Sequence, residues 1–169
     1  MSFTESQHAA LAMLAERAQR QLDPGVADQI VAAMSSLPPH PEVTAALADL
    51  RRAGTPMVAL TNSVGAVAEA QLSNAGLRAC FDDVVSADEV GRLKPSREPY
   101  ELVAARRGVA PACVRLVAAH AWDISGALAA GCRAAFVARP GMVLSPLGAQ
   151  PDIVGADMRS VADQLLARR

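Results

Sequence analysis

The chain has 169 residues, 51% of them apolar and 20% charged, with 16 basic against 17 acidic side chains. That is a globular composition of one-domain length, able to bury roughly 70% of its unfolded surface without staples. A net charge of −1 gives no electrostatic footing for nucleic acid or an anionic membrane, and no apolar run reaches the roughly 18 residues of a bilayer span. The first twenty residues are polar early and lack the shape of a signal peptide, so a cytoplasmic location is expected. Cys80, Cys113 and Cys132 are odd in number and match no zinc spacing; they read as buried small hydrophobes. All but one of the 16 basic residues are Arg, the exception being Lys94. A lone Lys in such a background is either held because Arg cannot replace it or is chance on a solvated loop.

In chain order, Leu11, Leu14, Ala15, Ala18 and Leu22 recur at helical spacing and predict an amphipathic helix near residues 5–22, ended by Asp23-Pro24-Gly25. Val26, Ile30 and Met34 mark a second, short helix. Leu37-Pro38-Pro39-His40-Pro41 forbids helix and reads as a hinge, and Pro41 suits the first turn of a third helix that stops at Gly54. Alternation then sets in. Short apolar strands are predicted at 57–61, 83–86, 114–118 and 134–138, with a possible fifth at 152–154. Helices come after them near 64–74, 98–107, up to 130, and up to Leu166. Apolar strands each followed by a helix mean an α/β chain with a doubly wound parallel sheet.

Ligands in such sheets bind beyond the carboxyl ends of the strands. After the first strand come Thr61, Asn62 and Ser63, small polar residues beside a helix start; they are an anion site or ordinary N-caps. After the second comes Gly91-Arg92-Leu93-Lys94-Pro95, then Tyr100. The third ends in Ala118-Ala119-His120-Ala121-Trp122-Asp123. Asp123 is either chemistry or a helix cap, and His120 either chemistry or packing. Trp122 reads as core rather than as a ligand platform. Three polar sets at successive strand ends converge on one edge of the sheet.

Leu60-Thr61-Asn62-Ser63, Leu93-Lys94-Pro95-x-x-x-x-Tyr100 and Ala119-His120-Ala121-Trp122-Asp123-Ile124-x-Gly126-Ala127 together resemble the haloacid dehalogenase superfamily, and more narrowly its 2-haloacid dehalogenase branch. Phe136-Val137-Ala138-Arg139-Pro140-Gly141 and Pro151-Asp152-Ile153 fit the same branch. The resemblance implies a partial helical cap over residues 1–37 and a Rossmannoid core over 38–169. It implies hydrolysis through an Asp ester: a carboxylate displaces the halide of a small 2-haloacid, and water then cleaves the ester. Thr61 would bind the substrate or intermediate anion, and Lys94 would keep the nucleophile ionised. Asn62 and Tyr100 would fix the substrate carboxylate and the surrounding network. Asp123 would hold Lys94 and the hydrolytic water. His120 would sit on the substrate side, where some members carry Asn.

Two departures from the family pattern matter. Its phosphatases carry two acids, four apart, in the third-strand loop to bind magnesium; here Asp123 is preceded four residues earlier by Ala119. A hard cation wants several oxygen ligands, so metal-independent chemistry with no cofactor is expected. The second departure concerns the nucleophile, which the family carries in an Asp-x-x-Gly-Thr motif on its first strand. These 169 residues contain no such motif; before Gly54-Thr55 the position an Asp would occupy is Arg51. The expectation is an N-terminally truncated chain lacking the central first strand, so that the strands at 57–61 and 114–118 either pair directly or leave a gap. A start assigned too late, a pseudo-enzyme fragment and a half supplied by another chain all fit, the first being favoured because the downstream motifs are intact. The function expected is therefore a 2-haloacid dehalogenase-like hydrolase, inactive as these residues stand. A non-catalytic anion-binding module and a phosphatase are the alternatives. The expected partner is a small anionic substrate, a 2-haloacid or phosphate ester, with a homodimer as the assembly to test.

Overall fold

The alternation predicted beyond residue 57 is present in a computed structural model, which describes residues 3–168. Ahead of it lie three helices, α1 (Phe3–Arg17), α2 (Pro24–Ala33) and α3 (Val43–Arg52). The alternating part runs β1 (Val58–Thr61), α4 (Gly65–Asn74), β2 (Asp83–Ser86), α5 (Arg97–Arg107), β3 (Arg115–Ala118) and α6 (Ala121–Ala129). It closes with β4 (Arg133–Val137), β5 (Ile153–Gly155) and α7 (Met158–Ala167). No described helix is long and apolar enough to cross a bilayer.

Every described ladder is parallel. Val58 lies opposite Asp83 in the β1–β2 pair, and Arg115 opposite Arg133 and Ala135 opposite Ile153 in a three-stranded sheet of order β3–β4–β5. No ladder among the described residues joins β1 to β3, so of the two arrangements open to these strands the gap is the one observed. Helices cover both faces. Ala46, Leu47 and Leu50 of α3 pack with Met158 and Ala162 of α7, and Val117 of β3 lies against them. Tyr100 of α5 packs with Ala127 of α6, and both Leu60 of β1 and Leu116 of β3 rest on that cluster. Successive side chains of a strand point to opposite faces, so Leu116 and Val117 mark the two helix layers.

The first helix differs from expectation. It ends at Arg17 rather than near 22, because Gln19 adopts a left-handed φ of 53° that turns the chain. Asp23 then starts the next helix, its side chain accepting from the Val26 N–H at 3.1 Å. No residue of α1 is fully buried: Leu11 and Ala15 of its apolar stripe are half-buried where α1 meets α2, while Leu14 is 58% exposed. Pro41 lies in the turn before α3, whose cap position is Glu42, rather than in its first turn. Of the cysteines only Cys132 is buried; Cys80 is half-buried and Cys113 exposed, since each of these two sits in a short turn leading to a strand.

Arginines tie the outer elements together. The Arg51, Arg159 and Arg115 guanidiniums hydrogen-bond the Asp82, Asp49 and Asp152 carboxylates and hold each below the ordinary value of 3.8. A carboxyl whose folded pKa is depressed stabilises the fold above its unfolded pKa and loses that contribution as pH falls through the folded value. The melting temperature is therefore expected to stay flat from pH 7 to about 5 and to fall progressively below about 4. Circular-dichroism melts across that range check it, and an undiminished melting temperature at pH 2 contradicts it.

Candidate active site

Lys94 lies in the loop between β2 and α5, held by its backbone. Its N–H donates to Asn62 Oδ1 at 2.8 Å, and Asn62 Nδ2 donates back to its carbonyl at 3.2 Å. This two-way clasp pins the loop to the residue just past β1. The ammonium donates to the Leu60 carbonyl at 3.1 Å and to Asp123 Oδ2 at 2.7 Å. It therefore bridges the carboxyl end of β1 to the first turn of the helix after β3. The Lys94 and Asp123 side chains are only 9% and 7% exposed, so the solvated-loop reading of the lone Lys fails. Tyr100 Oη donates to the other Asp123 oxygen, Oδ1, at 2.5 Å. Burial, and then the neighbouring carboxylate, push the Tyr100 hydroxyl well above its ordinary pKa, so it remains a donor.

The capping alternatives fail for physical reasons. The cap of α4 is Val64, with no side-chain bond, while Thr61 Oγ1 accepts from the Ser63 N–H at 3.0 Å. Thr61 and Asn62 are thus not consumed as caps. The cap of α6 is His120, also without a side-chain bond, and Asp123 turns to Lys94 and Tyr100 instead. The structure therefore brings Asn62, Lys94, Tyr100 and Asp123 into one bonded network, and Thr61 adjoins it through Leu60. His120 is exposed and outside the network, its ring 5.7 Å from that of Trp122. Trp122 is not core: it is 46% exposed, its ring centroid 5.9 Å from Lys94 Nζ. The reason is its place on the second residue of α6, at the exposed end of the sheet, where its ring lies near Lys94 and the exposed His120.

Two further contributors are not among the candidate site residues read from the sequence. The Leu60 carbonyl is a backbone acceptor. Gly126 of α6 lets the lysine loop approach closely: a Cβ there would meet Pro95 Cβ and its carbonyl oxygen at 2.7 Å and Tyr100 Oη at 2.8 Å. Gly126→Ala must push the loop and the tyrosine away from Asp123, and overpacking of this kind costs roughly 1–3 kcal/mol. Urea unfolding of the variant is expected to show that loss, and wild-type stability contradicts the contact.

The donor set does not suit a divalent cation. Both Asp123 oxygens are engaged, position 119 is Ala, and no three His, Cys, Asp or Glu side chains gather among the described residues. Magnesium demands a near-octahedral shell of oxygens. What the cluster offers is a buried ammonium with three N–H donors, two of them used, at the end of the strand that closes with Thr61.

The sequence model of the haloacid dehalogenase-like hydrolases matches residues 3–131. The chain belongs to that family. Within it, the chain is 29% identical over 163 residues to the (S)-2-haloacid dehalogenase of Pseudomonas sp. strain YL, an alignment covering 96% of this chain and 70% of that enzyme. It is 36% identical over 125 residues to a phosphoserine phosphatase of Thermus thermophilus, covering 73% of this chain and 50% of that protein. The L-2-haloacid dehalogenase of Xanthobacter autotrophicus, solved with chloropropionic acid covalently bound, superposes with a TM-score of 0.89 at 26% identity. That superposition covers 100% of this chain and 78% of the other. The family assignment agrees with the parallel α/β core and with polar residues collected at its strand ends.

Proposed function

We propose that these residues form the cation-bearing part of a 2-haloacid dehalogenase-like site. The observation that carries the reading is the buried Lys94–Asp123 pair at the carboxyl ends of β1 and β3, with Tyr100 and Asn62 fixing it. In the proposed reaction a carboxylate oxygen attacks C2 of the haloacid, the carbon–halogen bond breaks and halide leaves. Water then cleaves the ester, giving the 2-hydroxyacid, a proton and the free carboxylate. Lys94 would keep the attacking group ionised and draw it to the site, since an adjacent cation favours the charged form. Thr61 would hold the anion, Asn62 and Tyr100 would keep the network in register, and Asp123 would fix the lysine. His120 and Trp122, over the open side, would border the substrate.

Asp123 is the one carboxylate bonded to Lys94 among the described residues, and its two oxygens are occupied. It cannot serve as nucleophile without dismantling the pair. We assign residues 1–37 to a partial cap. In support, α1, α2 and the start of α4 enclose a cleft of about 340 Å³ lined by Phe3, Gln7, Met34, Ser63 and Val67. Gln71 and Asn74 tie the end of that cap to α4 through the Met34 and Ser35 carbonyls.

The test is halide release from (S)-2-chloropropionate. The 169-residue chain is expected to release none. The same chain prefixed with a strand bearing Asp-x-x-Gly-Thr is expected to release halide in EDTA. Halide release by the unprefixed chain overturns the assignment of roles. The likeness to a phosphoserine phosphatase supplies the second reading: a prefixed protein that hydrolyses phosphate esters only with added magnesium moves the chain there.

A further inference from the structure

We propose that a cleft at the amino ends of β1 and β2 is a binding site for a phosphate group, held by the guanidiniums of Arg51 and Arg107. It lies at the opposite end of β1 from Lys94 and does not depend on the reading of that cluster. The cleft has a volume of about 250 Å³ and is lined by Arg51, Gly54, Thr55, Pro56, Asp82 and Arg107. Two guanidiniums face one carboxylate, so its walls are positive in a chain whose net charge is −1. A positive concave surface concentrates anions.

The other arginines at the ends of these two helices are matched, and Arg107 is not. Arg52 is paired with Asp49, and Arg106, the neighbour of Arg107 in sequence, with both Asp83 and Glu89. Arg107 is exposed and has no hydrogen bond or ion pair among the described residues. Asp82 is already engaged: its Oδ1 accepts from Arg51 Nη1 and its Oδ2 from the Met57 N–H at 2.8 Å. Arg107 is still close to it. The bond from Arg51, then the Met57 N–H, and with them the charge of Arg107 hold the Asp82 carboxyl below its ordinary value.

Guanidiniums in a last helical turn can serve the unsatisfied carbonyls there. Here backbone N–H groups take that place. Past α3, Gly54 donates to the Arg51 carbonyl at 2.9 Å and Thr55 to the Leu50 carbonyl at 3.0 Å. Past α5, Gly108 donates to the Ala105 carbonyl at 3.1 Å and Val109 to the Ala104 carbonyl at 3.0 Å. Gly54 and Gly108 supply the left-handed φ, 71° and 63°, that such endings use. The donors of Arg107 are therefore left to the cleft, together with the Arg51 nitrogens beyond the one bonded to Asp82. Two planar forks on separate helices select the ligand. One fork fills the two oxygens of a carboxylate, whereas a phosphate group has oxygens for both.

The 169-residue chain, isotopically labelled, is to be titrated at constant ionic strength with inorganic phosphate, glycerol phosphate, acetate and chloride. The readout is the shift of the Gly54, Thr55 and Arg107 amide signals. Saturable shifts are expected at about 1–10 mM of a phosphate ligand, as befits a few charge-assisted hydrogen bonds at an open site. The tighter of the two phosphate ligands names the source, a free ion or an ester. Acetate should bind about tenfold or more weakly, and chloride should not saturate. Arg107→Gln should weaken phosphate binding about tenfold or more, with an unchanged melting temperature because the side chain has no partner to lose. Arg107→Lys keeps the charge without the fork and should lose less than the Gln variant. Arg92→Gln removes an exposed cation beyond the other end of β2 and should bind phosphate as the parent does. Shifts that never saturate, acetate binding as tight as phosphate, or undiminished binding by Arg107→Gln each overturns the proposal. An equal loss in Arg92→Gln does so too, since it reduces the effect to net charge.

Discussion

Asp123→Asn is expected to lower the unfolding free energy of the chain by about 3–5 kcal/mol, the cost of stranding one member of a buried ion pair. The substitution keeps the size of the side chain and an oxygen that can still accept from Tyr100. What it removes is the negative charge 2.7 Å from Lys94 Nζ. The ammonium is then left with the Leu60 carbonyl as its single acceptor in a site that is 9% exposed. Burying a charge without a partner is among the few single changes that reach this magnitude. Lys94→Met is expected to be costly as well, because it strands the carboxylate with Tyr100 alone. The double variant removes both charges together, and buried pairs replaced by apolar or neutral groups of similar size are commonly near neutral. Urea unfolding of the four proteins measures the coupling. A double-variant loss equal to the sum of the single losses shows that the two charges do not act as a unit.

The residues of this pair are legible in the sequence, and the reason is local. Strands β1, β2 and β3 are short apolar runs bounded by polar residues, and a parallel sheet gathers the residues after each run at one edge. Thr61, Asn62, Lys94, Tyr100 and Asp123 can therefore be collected from chain order alone, and the rarity of Lys singles out Lys94. Features decided by distant neighbours are less accessible. The burial of an apolar side chain depends on what is laid over it, so Trp122 and Leu14 of the α1 stripe look like core and are exposed. The Leu60 carbonyl has no signature, because every residue carries one. Gly126 belongs to a motif, but its purpose emerges only with Pro95 and Tyr100 packed against the site of the missing Cβ. The gap between β1 and β3 is one of two arrangements the sequence allows. Choosing between them requires the helix layers that hold the strands apart.

Lys94→Arg in the prefixed protein is expected to lose halide release by about 100- to 1,000-fold, nearly as much as Lys94→Ala, since a misplaced charge-stabilising donor typically costs that much in rate. The ammonium sits between Leu60 and Asp123 at 3.1 and 2.7 Å, flanked by the Trp122 ring and with its loop clasped to Asn62. A guanidinium is planar, extends further and spreads its donors in a fork. It can reach Asp123 only by displacing the loop or the tryptophan. Either movement takes the positive charge away from the place where an attacking carboxylate would meet it. An exposed lysine would behave differently, because a surface cation is worth under about 1 kcal/mol and Arg supplies it equally well. The chain uses Arg at every other basic position, so Arg tolerance at 94 would make the lone Lys a coincidence of composition. Turnover close to the parent's by a Lys94→Arg protein of equal stability would remove the ammonium from the mechanism and leave Lys94 a structural partner of Asp123.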